Sequence, residues 1–532
     1  MNTLSKIIMA VVLIITGSML AFNCSKEKTS EPPPTASSKW TILVYAAGNY
    51  SMDTIATGHS FCIGDIQALE RVGSTNDVQV IAMLSAGPTL GIAHYYHIEH
   101  FQDNGNTISS PVLQNLGERN MADGTTLKDF LLYGIRNYPA ENYMLLIDSQ
   151  GSGWPGCCHD DLNGGAPMHT ADMANAIEQA ISESGIAKFE VMALYSPLMG
   201  MTEVAYELRN CSHWLVASGI STSMRDLLAP EGWLTPLNSN PSAFSSILAT
   251  NFAQSIYDEG QNRSENVQMA MIDLNKIVRL ANIAGQLGQD LSQYSGPYWN
   301  EILDARHQAN DSNADDPAYV DLLKFVATMY NSADLRQLEY IRNANDSLSQ
   351  AFHDAVPINL YTPGLSPRNG LTIHLPARQE LYDSTNYARL DFHNLGWNHF
   401  VSNFIGVSEG LGLPTTISGT ISWQNGRQLS DHAYAFLDTI SSPFRYHFDS
   451  TLAVPMNGYF NFTFSLLDSF TVVCEGWDDA DSNAIPDAGD GFGGWDRDGN
   501  GNWSTLEDTI TILPGQNISG INIQLMPQYK AR

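Results

Sequence analysis

One acidic segment near the end of the chain has the spacing of a calcium-binding loop. Residues 496–507 read DRDGNGNWSTLE, which matches D-x-[DN]-x-[DN]-G-x5-E at every constrained position. Alternating oxygen donors, with a glycine at the sharp turn, suit a hard cation with about seven oxygen ligands. We therefore expect a structural Ca²⁺ in this loop. The expected ligands are Asp496, Asp498, Asn500, the carbonyl of Asn502, Ser504 and Glu507.

A second acidic segment, just before the first, repeats this spacing loosely and lacks the glycine. Its candidate ligands are Asp479, Asp481, Asn483, Asp487 and Asp490. The flanking residues do not have the helical pattern of an EF-hand, so we expect calcium loops inside a β domain. The alternative is that both segments are solvated Asp/Asn/Gly turns between strands.

Cysteine and histidine are neighbours in another segment, where residues 157–161 read CCHDD. A thiol beside an imidazole could act as an activated nucleophile, and Cys with His and Asp could ligate a metal. Side chains of neighbouring loop residues rarely face one another, so Cys158 and His159 are a weak alternative catalytic pair. A loop with a buried or vicinally oxidised cysteine is the simpler interpretation.

Apolar runs and helix-like segments alternate in the first half of the chain. The predicted strands are residues 40–47, 78–84, 143–148 and 189–194, and the predicted helices are 60–72, 126–138 and 170–184. Continuous apolar strands between amphipathic helices are typical of a parallel sheet covered on both faces. Ligands bind beyond the carboxyl ends of such strands. We therefore expect a site just after Asp148 and Leu194.

The remaining sequence suggests two further regions. Residues 223–410 are mainly helical, with strand and turn character at 357–376, and we expect them to extend the α/β core formed by 39–222. From 413 to 532, short alternating segments are separated by Gly, Asn and Asp turns, which predicts a small β-sandwich. This predicted β domain carries both acidic loops.

The first residues have the character of an export signal. Lys6 is followed by an apolar run at 7–22 that is too short for a comfortable membrane span, and then by Cys24. This order resembles a bacterial lipoprotein signal (1–24), with Cys24 lipidated and 25–38 acting as a flexible tether. An ordinary secretory signal is the alternative. We expect an extracytoplasmic protein anchored to the bacterial cell envelope, at the outer membrane or cell surface.

The charge of the chain limits its partners. The sequence has 26 Lys and Arg against 56 Asp and Glu, a formal net charge of -30. Such a surface repels phosphate backbones, so nucleic acid is not an expected partner. Most of these carboxylates are expected only to maintain solubility. The five cysteines other than Cys24 are too scattered to indicate a disulfide framework.

Several motifs follow one another in a fixed order along residues 39–407, and together they resemble a known family. They are KWTILVYAAG at 39–48, LGERNMADGTTLKDF at 116–130, YMLLIDSQGSGW at 143–154, LMGMTEVAYEL at 198–208 and GLTIHLP at 370–376. In this order and spacing the set resembles the clostripain family of cysteine peptidases. The resemblance implies a caspase-like α/β fold, with a catalytic His and Cys at two neighbouring strand ends.

The resemblance also identifies the positions that should carry the chemistry. In the family, the His immediately precedes Gly-Ser-Gly-Trp, and the Cys lies in Asp-Ala-Cys-Leu-Met-Gly. Here Gln150 holds the His position, Pro197 the Cys position and Tyr195 the Asp position. Glutamine cannot accept and return a proton near neutral pH, and proline offers neither a nucleophile nor an N–H. Tyr195 also removes the acid expected to select a basic residue.

Three functional hypotheses follow. The first is a surface lipoprotein whose clostripain-like domain is non-catalytic and binds a peptide or protein, or acts as a scaffold. For such binding, loops 151–154 and 198–200 are expected to present N–H groups and apolar surface. The second is an active cysteine endopeptidase using relocated groups, for which Cys158 and His159 are the candidate pair. The third is a Ca²⁺-stabilised adhesion or carbohydrate-binding protein that acts through its C-terminal domain.

Overall fold

The computed structural model describes most of the chain between residues 37 and 527. The described ranges are 37–50, 53, 60–86, 92–101, 107–221, 227–294, 298–310, 317–411, 413–441, 444–454, 457–466, 470–480, 490–496, 509–512 and 517–527. The predicted signal with Cys24, and the tether up to residue 36, lie outside these ranges. So do Asp481, Asn483, Asp487 and residues 497–508, which hold most of the predicted calcium ligands.

Strands and helices alternate through the first two thirds of the chain, and strands alone follow. The strands are β1 Ser38–Gly48, β2 Val78–Ala86, β3 Ile92–His97, β4 Val112–Glu118, β5 Ala140–Ser149, β6 Phe189–Tyr195, β7 Ser212–Ala217, β8 Gln268–Asp273, β9 Tyr319–Asp321, β10 Ile358–Tyr361, β11 Thr372–His374, β12 Leu413–Trp423, β13 Ala433–Ser441, β14 Phe444–Leu452, β15 Tyr459–Leu466, β16 Phe470–Asp478, β17 Gly491–Gly494, β18 Ile510–Ile512 and β19 Asn517–Pro527. The helices are α1 Phe61–Glu70, α2 Gly124–Asn137, α3 Thr170–Ser184, α4 Thr202–Glu207, α5 Leu234–Ser239, α6 Ser245–Arg263, α7 Ile277–Tyr294, α8 Trp299–Ala309, α9 Leu322–Asn331, α10 Glu339–Ala355, α11 Ser384–Tyr387 and α12 Trp397–Leu411.

The main sheet has nine strands in the order β10-β8-β7-β6-β5-β1-β2-β3-β4. Its five central strands, from β7 to β2, run parallel, and antiparallel strands extend it on both sides. The predicted α/β class with a parallel-rich sheet is therefore confirmed. Strands β8 and β10 come from the stretch predicted as a helical extension, so one sheet crosses the predicted boundary at residue 222.

The apolar sequence of strand β5 is explained by burial on both faces of the sheet. Leu145 belongs to a core that includes Phe130 from α2, whereas the next residue, Leu146, belongs to a core that includes Phe252 from α6. Successive strand residues point to opposite faces, so a strand covered on both sides must be apolar at every position. The carboxyl end of β5 is thereby held rigidly between two layers of helices.

The long helices that follow β8 pack onto one face of the sheet. Helix α7 packs against α10 and α12, and the three helices share the core that contains Leu145. Strands β9 and β11 form a short antiparallel ribbon in which Tyr319 lies opposite His374. Thr372 of this ribbon also bridges to Met201, just before α4. The ribbon thus brings two aromatic side chains beside the loops that follow β5 and β6.

The C-terminal region is all β, as predicted. Its eight strands follow the order β14-β13-β16-β17-β19-β12-β15, with β18 paired to β16. The two end strands, β14 and β15, also contact each other, so the strands form one nearly closed sheet in place of two separate layers. Its interior is apolar and includes Ile417, Phe460, Val472 and Ile523.

No helix among the described residues is both long enough and apolar enough to cross a membrane.

Candidate functional site

The predicted catalytic positions follow two adjacent strands. Strands β5 and β6 pair in parallel, with Asp148 opposite Tyr195. Gln150 and Pro197 each come two residues later, so they lie at the same edge of the sheet. A Cβ atom built on Gly151 would overlap the carbonyl oxygen of Pro197, so the two loops are in contact and only glycine fits. We call this contact, formed by Gln150, Gly151 and Pro197, the strand-end site.

The side chains at the strand-end site supply no nucleophile and no base. Gln150 and Pro197 are both half-buried. Tyr195 is fully buried, and its hydroxyl oxygen accepts a hydrogen bond from the Leu227 N–H at 2.9 Å. Tyr195 is therefore held in the core by its ring and by this bond. The acid that the family resemblance places at position 195 is therefore absent.

The backbone of these loops is largely bonded within the protein. Loops 151–154 and 198–200 are predicted to offer their N–H groups to a peptide, but the Trp154 N–H already donates to Met201 Sδ at 3.2 Å, and three other groups donate to backbone carbonyls. These three bonds run from Leu198 to Ile220 (2.9 Å), from Gly200 to Ser218 (2.6 Å) and from Ser152 to Gly156 (2.9 Å). A ligand gains little from the three groups bonded to carbonyls, because breaking an internal hydrogen bond to form a new one yields little net free energy.

The two neighbouring cysteines lie in the protein interior. Cys157 and Cys158 are both fully buried, and their sulfur atoms are 3.7 Å apart. The described cysteines are all free thiols, so this pair is not a disulfide. Burial raises the pKa of the Cys158 thiol well above its usual value, which disfavours the thiolate that a nucleophile requires.

His159 is directed at a different residue from the one expected. Its Nε2 lies 2.7 Å from the Ser152 hydroxyl, and its Nδ1 lies 3.0 Å from the Gly165 carbonyl oxygen. Both ring nitrogens are thus engaged by partners other than Cys158. The structure does not bring Cys158 and His159 together as a pair, and it brings together Ser152 and His159, which the sequence analysis did not consider.

A cavity of about 470 Å³ lies beside the loop that carries Ser152. Its walls include Ser152, Trp154, His169, Tyr319, His374 and Arg389. The His374 ring is 1% exposed, with the rings of Trp154 and Tyr319 centred 5.3 and 5.7 Å away. No hydrogen-bond partner reaches either of its ring nitrogens among the described residues. Burial lowers the pKa of His374 to about 3, so the ring is neutral at physiological pH.

A buried glutamate fixes the elements behind this cavity. Glu203, in α4, is fully buried. One of its carboxylate oxygens accepts hydrogen bonds from the backbone N–H of His374 (2.8 Å) and from the hydroxyl of Tyr387 (3.1 Å). Burial raises the pKa of Glu203 to about 7. Helix α4 directly follows the loop of Pro197. These bonds therefore hold the strand-end site and the cavity in one fixed arrangement.

Carboxyl groups are also buried beneath the strand ends, on the other face of the sheet. Burial, and then the nearby Asp53, raise the pKa of Asp148 to about 8. Asp53 in turn accepts a bond from the Cys62 N–H at 3.0 Å. Asp148 therefore holds its proton at neutral pH, because a buried charge is unfavourable. Within the described ranges, no three His, Cys, Asp or Glu side chains form a cluster that could hold a metal ion.

Three of the predicted calcium ligands fall within the described residues. Asp490 accepts bonds from the Ala480 N–H (2.9 Å) and from the indole N–H of Trp477 (3.2 Å), so protein donors engage both of its oxygens. Asp479 is buried and Asp496 is half-buried. The calcium site at 496–507 remains a prediction, because its other ligands lie outside the described residues.

The fold is an α/β architecture with a parallel-rich sheet, and the strand-end site lies at the carboxyl ends of the adjacent strands β5 and β6. A sequence model described as the clostripain family, Peptidase_C11, matches residues 51–403, well over half of the chain. The chain therefore belongs to the clostripain family. No curated protein matches it.

Three solved structures of cysteine proteases are similar to this chain. A secreted C11 cysteine protease from Bacteroides thetaiotaomicron, in complex with an irreversible peptide inhibitor, is 17% identical with a TM-score of 0.48, over 67% of this chain and 99% of that chain. An inactive zymogen C11 protease from Parabacteroides distasonis is 18% identical with a TM-score of 0.48, over 68% and 99%. A B. fragilis cysteine protease is 18% identical with a TM-score of 0.33, over 44% and 96%.

Proposed function

We propose that this chain is a clostripain-family protein that has lost cysteine-peptidase chemistry and binds a peptide or protein segment. One observation carries the proposal: Gln150 and Pro197 follow adjacent parallel strands, and their loops touch. The family reaction requires a thiolate and an imidazole at these two positions. Glutamine and proline can supply neither, whereas the loops themselves keep a close contact that only Gly151 allows.

The second hypothesis, a peptidase with relocated groups, has weaker support. The Cys158 thiol is fully buried, and its pKa is raised by that burial. The imidazole of His159 is bonded to Ser152 and Gly165. A thiol activated by this histidine would need both side chains to leave buried, bonded positions, so the relocated pair is disfavoured.

The cavity next to the strand-end site supports binding. Its volume of about 470 Å³ is sufficient for one or two side chains of a ligand, and aromatic walls such as Trp154 and Tyr319 offer apolar contacts. The net charge of -30 also favours basic peptides over acidic ones at long range. A bound peptide would therefore lie across the strand ends and place one side chain in this cavity.

A binding measurement on the intact protein tests this proposal. Fluorescein-labelled decapeptides, each with one central Arg or Lys, are titrated by fluorescence polarisation, and mass spectrometry checks that they stay intact. We expect saturable binding without cleavage. Gln150→Arg, which adds a bulky cation at the half-exposed edge, should weaken binding about tenfold or more. The same change at the exposed Gln179 of α3 serves as the matched control.

Two results would contradict the proposal. One is cleavage that disappears after alkylation of thiols with iodoacetamide. The other is binding that is equally strong in the wild type and in Gln150→Arg, since the ligand would then bind elsewhere.

We also propose that the protein is exported, anchored through a lipid on Cys24 and stabilised by Ca²⁺ at 496–507. The signal-like residues 1–24 and the complete loop motif support this. Cys24→Ser should abolish incorporation of labelled palmitate in cells. Removal of calcium with EDTA should lower the melting temperature, and Asp498→Ala should remove that dependence. Equal lipid labelling in Cys24→Ser, or melting unaffected by EDTA, would refute the respective part.

A further inference from the structure

Ser152 and His159 form a chemically competent arrangement beyond the end of β5. The Ser152 hydroxyl oxygen lies 2.7 Å from His159 Nε2, and His159 Nδ1 lies 3.0 Å from the Gly165 carbonyl oxygen. A carbonyl oxygen only accepts hydrogen bonds, so the ring proton must be on Nδ1. Nε2 then directs its lone pair at the serine O–H. This is the geometry of a nucleophile, a general base and an orienting third group.

The loop backbone fixes this arrangement. Cys158 has φ 61 and Gly165 has φ 74, both in the left-handed region, so the chain turns sharply on each side of the segment that joins them. The Gly165 N–H donates to the Asp160 carbonyl at 2.9 Å, which directs the Gly165 carbonyl back toward His159. The tautomer of His159 is thus determined by backbone geometry and does not depend on a mobile side chain.

Ser152 lies at a position where a ligand can reach it. It follows the carboxyl end of a central parallel strand and lines the cavity of about 470 Å³, a volume suited to a small organic molecule. His374, 1% exposed, lines the same cavity, and neither of its ring nitrogens meets a hydrogen-bond partner among the described residues. A buried imidazole without partners is costly unless a ligand bonds to it. This is a second observation, independent of the Ser152–His159 pair, that points to a ligand.

We propose that Ser152 is the nucleophile, and His159 the general base, of an esterase site that admits small carboxylic esters with apolar acyl groups. The proposal goes beyond the loss of cysteine chemistry and does not depend on peptide binding. It uses a serine that belongs to the retained Gly-Ser-Gly-Trp motif and a histidine from the loop beyond it.

The reaction consumes one ester and one water. The Ser152 oxygen bonds to the acyl carbon while its proton passes to His159 Nε2. The bond between the acyl carbon and the alcohol oxygen then breaks, and the imidazolium returns the proton to the departing alcohol. Water next attacks the acyl-serine and gives a proton to Nε2. The bond between the acyl carbon and the Ser152 oxygen then breaks, the carboxylic acid leaves, and the imidazolium returns its proton to Ser152.

The surroundings of the pair limit the substrate class. The third group is a neutral carbonyl, which stabilises an imidazolium less well than a carboxylate does. Amides are therefore too unreactive, and esters with good leaving groups are favoured. The walls formed by Trp154 and Tyr319 favour an apolar acyl group.

Two further features assist the chemistry. The Trp154 N–H meets only a thioether acceptor, Met201 Sδ, at 3.2 Å. Because sulfur is a weak acceptor, we assign this N–H as the donor that an oxyanion would use. Burial lowers the pKa of His159, so the base is neutral and active at physiological pH.

Ester hydrolysis and covalent labelling of the full chain test the proposal. The probes are p-nitrophenyl butyrate and an alkyl fluorophosphonate, with peptide mapping to locate the phosphonate. We expect one phosphonate on Ser152. Ser152→Ala and His159→Gln should lower hydrolysis about tenfold or more, whereas Ser196→Ala, at a buried serine after the neighbouring strand, should not. The rate should rise with pH through an apparent pKa below the usual value of about 6.5 for histidine.

A second variant separates chemistry from folding. Ser152→Cys keeps a nucleophile of similar size, and its hydrolysis should persist and become sensitive to iodoacetamide. Equal hydrolysis by the wild type and Ser152→Ala, or phosphonate attached at another residue, would overturn the proposal. The hydrogen bond between Ser152 and His159 would then only stabilise the loop. Peptide binding changed by Gln150→Arg is a separate readout, so failure of one proposal is distinguishable from failure of the other.

Discussion

Two pairs of residues lie beyond the ends of strands β5 and β6, and the pairs differ in which part of the fold positions them. Gln150 and Pro197 are placed by the sheet, because each follows one of two adjacent parallel strands. Ser152 and His159 are placed by a loop that turns back on itself, and their side chains bond to each other at 2.7 Å. In our proposals, the first pair keeps the location of the family's catalytic groups without suitable side chains. The second pair supplies a nucleophile and a base in a location that strand order alone does not specify.

We propose from this difference that the frame of the strand-end site can persist without the chemistry of the family. The frame depends on backbone contacts and buried groups, such as Gly151 against Pro197 and Glu203 against His374. These contacts contribute to folding whatever residue occupies position 150. The chemistry depends on only two or three side chains, so it can be lost while the frame persists.

The largest expected effect comes from breaking the frame. Gly151→Ala places a methyl group where the Pro197 carbonyl oxygen and the Met199 side chain already lie, so one loop must move. We expect a loss of about 2–4 kcal/mol in the free energy of unfolding, measured by urea denaturation. Gly406→Ala, at an exposed site in α12 with no heavy atom within 4 Å, is the control and should stabilise by about 0.5–1 kcal/mol. Equal effects would mean that the two loops do not constrain each other.

Restoring the missing groups sharpens the comparison. Pro197→Cys introduces a thiol at the strand end, and adding Gln150→His introduces its base. If the frame still holds these positions together, the imidazole should lower the pKa of the new thiol and speed its alkylation at pH 6 about tenfold. Peptide mapping distinguishes this thiol from the buried native ones. Identical alkylation rates with and without the histidine would mean that the two positions no longer face each other.

A smaller effect concerns the buried carboxyl behind the cavity. Burial raises the pKa of Glu203 to about 7, so the folded chain holds this proton to a higher pH than the unfolded chain does. The resulting stabilisation is full below the unfolded value of about 4.5 and is lost as pH rises through about 7. Between pH 6 and 8 the wild type should lose about 1 kcal/mol more unfolding free energy than Glu203→Gln. Parallel pH profiles would show that Glu203 does not titrate in this range.

Much of the sheet could be predicted from the sequence because its central strands contain continuous apolar runs, such as MLLI at 144–147 in β5. The run 143–148 became β5, Ala140–Ser149, and the run 189–194 became β6, Phe189–Tyr195. Strand β8 was harder to recognise. Its six residues lie between the long helices α6 and α7, so the sequence pattern on both sides predicts a helical stretch there.

The strand-end site and the Ser152–His159 pair also differ in how far the sequence predicts them. Adjacency of Gln150 and Pro197 follows from strand order, which the resemblance to a family supplies. The bond between Ser152 and His159 depends on left-handed turns at Cys158 and Gly165, and a non-glycine residue with positive φ cannot be anticipated from its type. The only sequence signal was a serine and a histidine in one loop, which is too common to single out.

The most direct test of the loss of cysteine chemistry is a turnover assay on the wild-type protein. A peptide with Arg or Lys before a fluorogenic amide is incubated with the full chain, with and without prior treatment with iodoacetamide. Because the strand ends carry Gln150 and Pro197, we expect no turnover that the alkylator removes. Turnover that disappears on alkylation would show that a thiol still performs the peptidase reaction, and would contradict the assignment of the strand-end site as non-catalytic.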